Sequence, residues 1–213
     1  MEEKNIQENE NDDGFLVSKE TYLQAGVHIG TKVKNKDMKD FIFKVKESTG
    51  IFILDLAMTD KRIREASKII SKYDPSEVLV VASRVYSGSP ASKFCELTGI
   101  NLMKGRFTPG SMTNTKTKHF TEPSLLIVCD PRGERQAISE AAKMGTPIIA
   151  LCDTDNETKF IDYIIPVNNK GKKSLALLFC ILARELMLKQ GKIKSYDEFK
   201  YNPQYFEKLE EEE

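Results

Sequence analysis

The chain has little of what catalysis usually needs. Its two histidines, His28 and His119, have no serine or cysteine paired to them in a recognisable pattern, and no G-x-S-x-G elbow is present. The strings G-x-x-x-x-G-K-[ST] and G-x-G-x-x-G, which cradle nucleotide phosphates, are also missing. Four cysteines occur (Cys95, Cys129, Cys152, Cys180), without a C-x-x-C pair or a histidine at ligand spacing. That argues against a metal or disulfide framework and for buried free thiols in a reducing compartment. No apolar run reaches spanning length, since the longest, 175–188, is interrupted by Arg184 and Glu185. With no signal peptide either, a soluble, cytoplasmic protein without a membrane partner is the expectation.

Net charge is absent too, and its distribution matters more than its sum. The formal net charge is zero, which at face value argues against nucleic acid. Residues 1–20 and 196–213, however, each hold seven acids and two lysines, a net of −5 at either end, so the body between them carries +10. A basic body between acidic ends is the arrangement of a polyanion binder with screening tails. On this basis residues 1–14 read as an acidic disordered tail, 15–192 as a single α/β RNA-binding domain and 193–213 as an acidic C-terminal tail.

The most informative stretch is 105–132, GRFTPGSMTNTKTKHFTEPSLLIVCDPR. It begins as a polar, positively charged loop with Arg106, Lys116, Lys118 and His119. Past Pro123 it becomes LLIVC, apolar on every residue, as a strand buried on both faces requires. A polar loop held on such a scaffold is a binding device.

Strands and helices alternate along the chain. A helix starts near Ser18, a good N-cap, and a lysine-dense extended segment follows GVHIGTK. Residues 50–55 read as a buried strand, followed by a helix over 59–73 with Ile63, Ala66, Ile69, Ile70 and Tyr73 on one face. Further strands are expected at 78–82, 101–104, 125–129, 148–152 and 163–166. Helices are expected at 89–98, around 137–142 and at 173–190, the last stopping at Gly191. Short apolar strands alternating with helices predict a right-handed parallel sheet with helices on both faces.

Ligands of such sheets gather beyond the carboxyl ends of the strands. Asp55, Asp130 and Asp153 stand at such ends and could hold Mg²⁺ for phosphoryl transfer, which makes a phosphate-ligand or metal-dependent enzyme the alternative reading. As helix and loop caps they would need no ligand at all. Ser87-Gly88-Ser89-Pro90-Ala91-Ser92, read as a turn between strand and helix, could present amides to a phosphate with Arg84 alongside. The lysines are more telling. Lys32, Lys34, Lys36, Lys39, Lys44 and Lys46 form one cluster with Phe41 and Phe43 interleaved, and Lys170, Lys172 and Lys173 enter the last helix. Lysine suits phosphates rather than base reading. Three basic segments in distant parts of the chain suit structured RNA held by shape and phosphate. An interaction module using the acidic tails as docking arms is a further reading.

The strings YLQAGVHIGTK, GIFILDLAMTDKRIREA, GRFTPGSMTN, EPSLLIVCDPRGERQAISEA, PIIALCDTDN and IPVNNKGKKSLAL, in this order over 22–191, resemble the S-two family of universal small-subunit ribosomal proteins. The resemblance implies a flavodoxin-like, doubly wound three-layer α/β/α sandwich with an N-terminal helix and a basic extension. It implies no catalysis, and neither a cofactor nor a metal is expected. Small-subunit ribosomal RNA and neighbouring ribosomal proteins are the implied partners, at the junction of the subunit's head and body. Asn114, inside GRFTPGSMTN, joins the candidate RNA-binding residues by motif membership. The 115–123 loop is too short for the helical hairpin insertion of the family's bacterial branch, and GVHIGTK and the YDEFKYNP segment look like the archaeal form.

Overall fold

The computed structural model describes residues 14–118 and 120–208. The expected disordered stretch through Asp13, His119 and the terminal glutamates from Glu210 therefore lie outside the described residues.

Five strands form one parallel sheet: β3 (Val78–Ala82), β4 (Asn101–Lys104), β5 (Leu125–Val128), β6 (Ile148–Cys152) and β7 (Tyr163–Pro166), in the order β4-β3-β5-β6-β7. β3, β5 and β6 are buried along their whole length, as runs apolar on both faces require. Alternate residues face opposite ways. Val78, Val80, Leu125, Ile127, Ile149 and Leu151 meet α2 (Leu56–Ile70), α3 (Val85–Thr98) and α5 (Lys172–Lys189). Leu79, Val81, Leu126, Val128, Ile148 and Ala150 meet α4 (Arg135–Met144) together with Phe107 and Met112 of the long loop. The result is the three-layer, flavodoxin-like sandwich. α1 (Lys19–Ala25), capped by Ser18, is tied to α2 through buried Asp60, which accepts from Leu16 N, Tyr22 Oη and Arg64 Nε, each at 2.9 Å. Among the described residues no helix is long and apolar enough to cross a membrane.

Three local expectations need correction. The 50–55 run is not a strand of the parallel sheet. β2 (Ile51–Leu54) pairs antiparallel with β1 (Ile42–Lys46) in a separate two-stranded sheet, and of its four residues only Leu54 is buried. A short apolar run looks the same in a core strand and in a hairpin lying over other elements, so periodicity could not separate them. The lysine-dense segment, taken as extended, contains a 3₁₀ turn over Lys36–Phe41 that buries Met38 and Phe41, before Lys44 and Lys46 enter β1. The serine-rich string at 87–92 is no turn. α3 begins at Val85, so Ser87 and Gly88 N–H groups both donate to the Arg84 carbonyl and are not open to a phosphate.

The segment from residue 193, set apart above by its charge, rests on the body as far as α6 (Pro203–Glu207). Ile193 and Phe206 are buried, and Lys93 Nζ donates to the carbonyls of Tyr205 (2.7 Å) and Lys208 (2.6 Å). Phe199, Tyr201, Tyr205 and Phe206 pack on the core and hold it there, and a reading by charge alone passes over them.

Candidate nucleic-acid interface

Numbered within the parallel sheet, the strand order is 2-1-3-4-5, so the crevice where such sheets take ligands opens between β3 and β5. Here it is closed by the chain's own side chains. Glu134, fully buried, accepts from Ser83 N (2.8 Å) and Ser83 Oγ (2.9 Å) on one oxygen, and from Cys129 N (2.8 Å) and Asp130 N (3.1 Å) on the other. Burial pushes its pKa up to about 7 against the pull of those four donors. Arg84 Nε reaches Asp130 Oδ2 at 2.6 Å, and Asp130 also accepts from the amides of Arg132 and Gly133. A Cβ on Gly133 would lie 2.9 Å from Asp130 Oδ2 and 3.0 Å from Ser83 Oγ, so glycine is what lets the loop close over this network.

The strand-end aspartates each have local work. Asp55 caps α2, accepting from Ala57 N at 2.9 Å. Asp153 accepts from Thr154 N at 2.6 Å, and burial raises its pKa although Lys170 lies 3.2 Å away. Among the described residues no three His, Cys, Asp or Glu side chains come together as a metal-holding group. His28 is half-buried, its pKa lowered by burial, and its carbonyl accepts from Leu54 N at 2.8 Å.

The basic segments are brought together mainly by the strand ends. Arg84 follows β3, Arg106 follows β4, and after β7 come Lys170 in the connecting turn and Lys172 and Lys173 at the start of α5. Residues 31–37 lie along the loop after β6: Thr31 N donates to Thr154 Oγ1 (3.0 Å), Asn35 N to the Thr154 carbonyl (2.7 Å), and Thr154 Oγ1 to the Val33 carbonyl (3.0 Å). Lys32, Lys34, Lys36 and Lys39 are exposed there, and Lys44 and Lys46 are exposed on β1. Lys170 is turned inward to Asp153 and Asp155 (2.6 Å), and Lys172 lies 3.8 Å from Glu207, whereas Lys173 is exposed. Arg106, Asn114, Lys116 and Lys118 are exposed on the 105–123 loop. That loop is held by buried Phe107 and Met112 and by Glu140 of α4, which accepts from Gly110 N (2.7 Å), Met112 N (3.2 Å) and Gln136 Nε2 (2.8 Å). Burial alone would raise the Glu140 pKa; these donors outweigh it and hold it below the ordinary value.

Gly30 decides whether the lysine segment docks. A Cβ there would lie 2.5 Å from Thr154 Cγ2 and 2.8 Å from the Phe52 carbonyl oxygen, a backbone atom that cannot yield cheaply. Gly30→Ala is expected to lower stability by about 2 kcal/mol, as overpacking does. Amide exchange should quicken at Thr31 and Asn35 while β5 and β6 keep their protection.

Sequence reading passed over Glu134, and also Arg132, Arg135, Lys159 and Phe160, which surround a cavity at the ends of β5 and β6. The first three lie in or next to a string already singled out, but nothing local announces that Phe160 faces them.

The fold and this surface together define a flavodoxin-like α/β scaffold that shows exposed cations beside a crevice closed by its own side chains. The family model described as Ribosomal protein S2 matches residues 22–120 and 117–187, and the chain belongs to the ribosomal protein S2 family. It is 47% identical over 196 residues to the small ribosomal subunit protein uS2 of Thermoplasma acidophilum, covering 92% of this chain and 98% of that protein. The protein of the same name from Thermoplasma volcanium is 47% identical over 193 residues, covering 91% and 96%. That of Methanococcus maripaludis is 45% identical over 193 residues, covering 88% and 87%.

Proposed function

We propose that the chain is a structural constituent of the small ribosomal subunit in the cytoplasm, binding folded small-subunit ribosomal RNA and neighbouring ribosomal proteins and supporting subunit assembly. The observation that carries this reading is near full-length similarity to proteins named for that subunit. The surface chemistry agrees with it. Exposed lysines on several loops suit phosphates of a folded RNA, which are recognised by charge and shape. The acidic ends leave a body of net charge +10 between them, the sign a polyanion partner needs. No catalytic role is assigned, because the strand-end carboxylates are engaged with helix amides, Arg84 and Lys170.

A sucrose gradient of native lysate, probed for this chain, tests the reading. Co-migration with the small-subunit peak, lost after RNase treatment, is the expected result. A chain found only at the top of the gradient overturns it.

A further inference from the structure

We propose that the cavity between the ends of β5 and β6 takes one unstacked nucleotide of the bound RNA, its base against the Phe160 ring and its phosphate on Arg132 and Arg135. This rests on the RNA-binding reading and adds a site to it.

Four observations carry the assignment. The cavity has a volume of about 500 Å³, inside the roughly 300–1,000 Å³ range of small-ligand sites. Its walls bring together Arg132 from the loop after β5, Arg135 and Ser139 from α4, and Glu157, Lys159 and Phe160 from the loop after β6. Phe160 is 57% exposed although it is large and apolar. It also has a φ of 66°, in the left-handed region, at the third position of a turn closed by Ile161 N–H on the Thr158 carbonyl (3.0 Å). Glycine or asparagine is the ordinary occupant of that position. An aromatic ring there is disfavoured twice, by backbone and by solvent, and a stacked base compensates for both.

The charges agree. Arg132, Arg135 and Lys159 are exposed cations, and Lys159 Nζ lies 4.9 Å from the Phe160 ring centroid. Asp155, which also lines the cavity, is neutralised by Lys170 at 2.6 Å. Glu157 is the remaining acid on the wall and, with Ser139, offers hydrogen-bonding groups to a base edge. Planar guanidinium groups suit a phosphate, and a sequence-tolerant aromatic platform suits a base turned out of its stack.

The chain contains no tryptophan, so Phe160→Trp introduces a lone fluorescent reporter. Titrating this variant with small-subunit ribosomal RNA at low salt should quench the indole with the midpoint seen by filter binding. The quenching should disappear when Arg132→Glu and Arg135→Glu are added. Filter binding without quenching overturns the site and leaves the RNA reading standing, whereas no binding overturns both. Equal quenching by free adenosine monophosphate at the same concentration would assign the cavity to free nucleotides and overturn the RNA site. A second variant separates fold from binding. Phe160→Gly suits the backbone, so its Tm should hold or rise, while affinity for the ribosomal RNA falls about tenfold, the loss of one stacked base. Unchanged affinity in that variant also overturns the proposal.

Discussion

Glu134→Gln is expected to cost about 2–4 kcal/mol of unfolding free energy, from at least one donor left unmatched at about 1–3 kcal/mol and the strain of seating the amide among the others. That is a large share of the roughly 5–15 kcal/mol that holds a domain together. Both carboxylate oxygens face two donors apiece. The glutamine amide nitrogen accepts nothing: turned towards Ser83 it leaves Ser83 N without an acceptor while the Ser83 hydroxyl rotates to accept, and turned the other way it opposes both Cys129 N and Asp130 N. A protonated glutamic acid loses less, since its hydroxyl oxygen still accepts on a remaining lone pair. The variant should therefore be much weaker than wild type in urea, with the m-value unchanged.

The pH profile adds a second readout. The folded-state pKa of Glu134 stands at about 7, above the ordinary 4.5. Between these values the folded chain holds a proton that the unfolded chain has released. The stabilising contribution is thus fully present below about pH 4.5, declines as pH rises towards 7 and is gone above it. The glutamine variant should lack that decline. Equal stability of the two chains at pH 8 would mean that the Ser83–Glu134–Asp130 network is not what joins β3, β5 and α4.

The second large effect is on RNA. Lys32→Glu, Lys34→Glu and Lys36→Glu together are expected to weaken binding to small-subunit ribosomal RNA on the order of a hundredfold at low salt. The slope of log affinity against log salt should become shallower by about 3, one unit for each lost phosphate contact. All three side chains are exposed, so the thermal transition should not move by more than surface substitutions usually cause. Filter binding across a salt series reads both quantities. An unchanged slope would place the phosphate contacts elsewhere, with Arg106, Lys116 and Lys118 the next to reverse.

Much of the sandwich could be read from the chain because its central strands are buried on both faces. The LLIVC run announces itself as β5 without help from any neighbour, as do 78–82 and 148–152. Ser18 at the head of α1 was equally legible, because a cap is a contact between residues three apart. β2 was misread for the converse reason: whether it joins a local hairpin with β1 or the central sheet, and whether it takes the bridge from Ile29, are matters of pairing that an apolar run does not encode. The 87–92 string misled through composition, since serine, glycine and proline suggest a turn. Helix packing overrode that propensity once Ser87, Gly88 and Ser89 were buried.

The candidate interface divides along the same line. Residue type and spacing by themselves determined the parallel sheet, the basic body between acidic ends and the membership of three lysine-bearing segments. Those properties follow from periodicity, burial and charge, which are local or additive along the chain. The tertiary structure alone decided which cations stay exposed, turning Lys170 inward to Asp153 and Asp155 while leaving Lys32, Lys34 and Lys173 to solvent. It alone closed the β3–β5 crevice with Glu134 and set Phe160 across from Arg132 and Arg135. Each of these depends on the distance between residues far apart in sequence, and only the packed fold sets that distance.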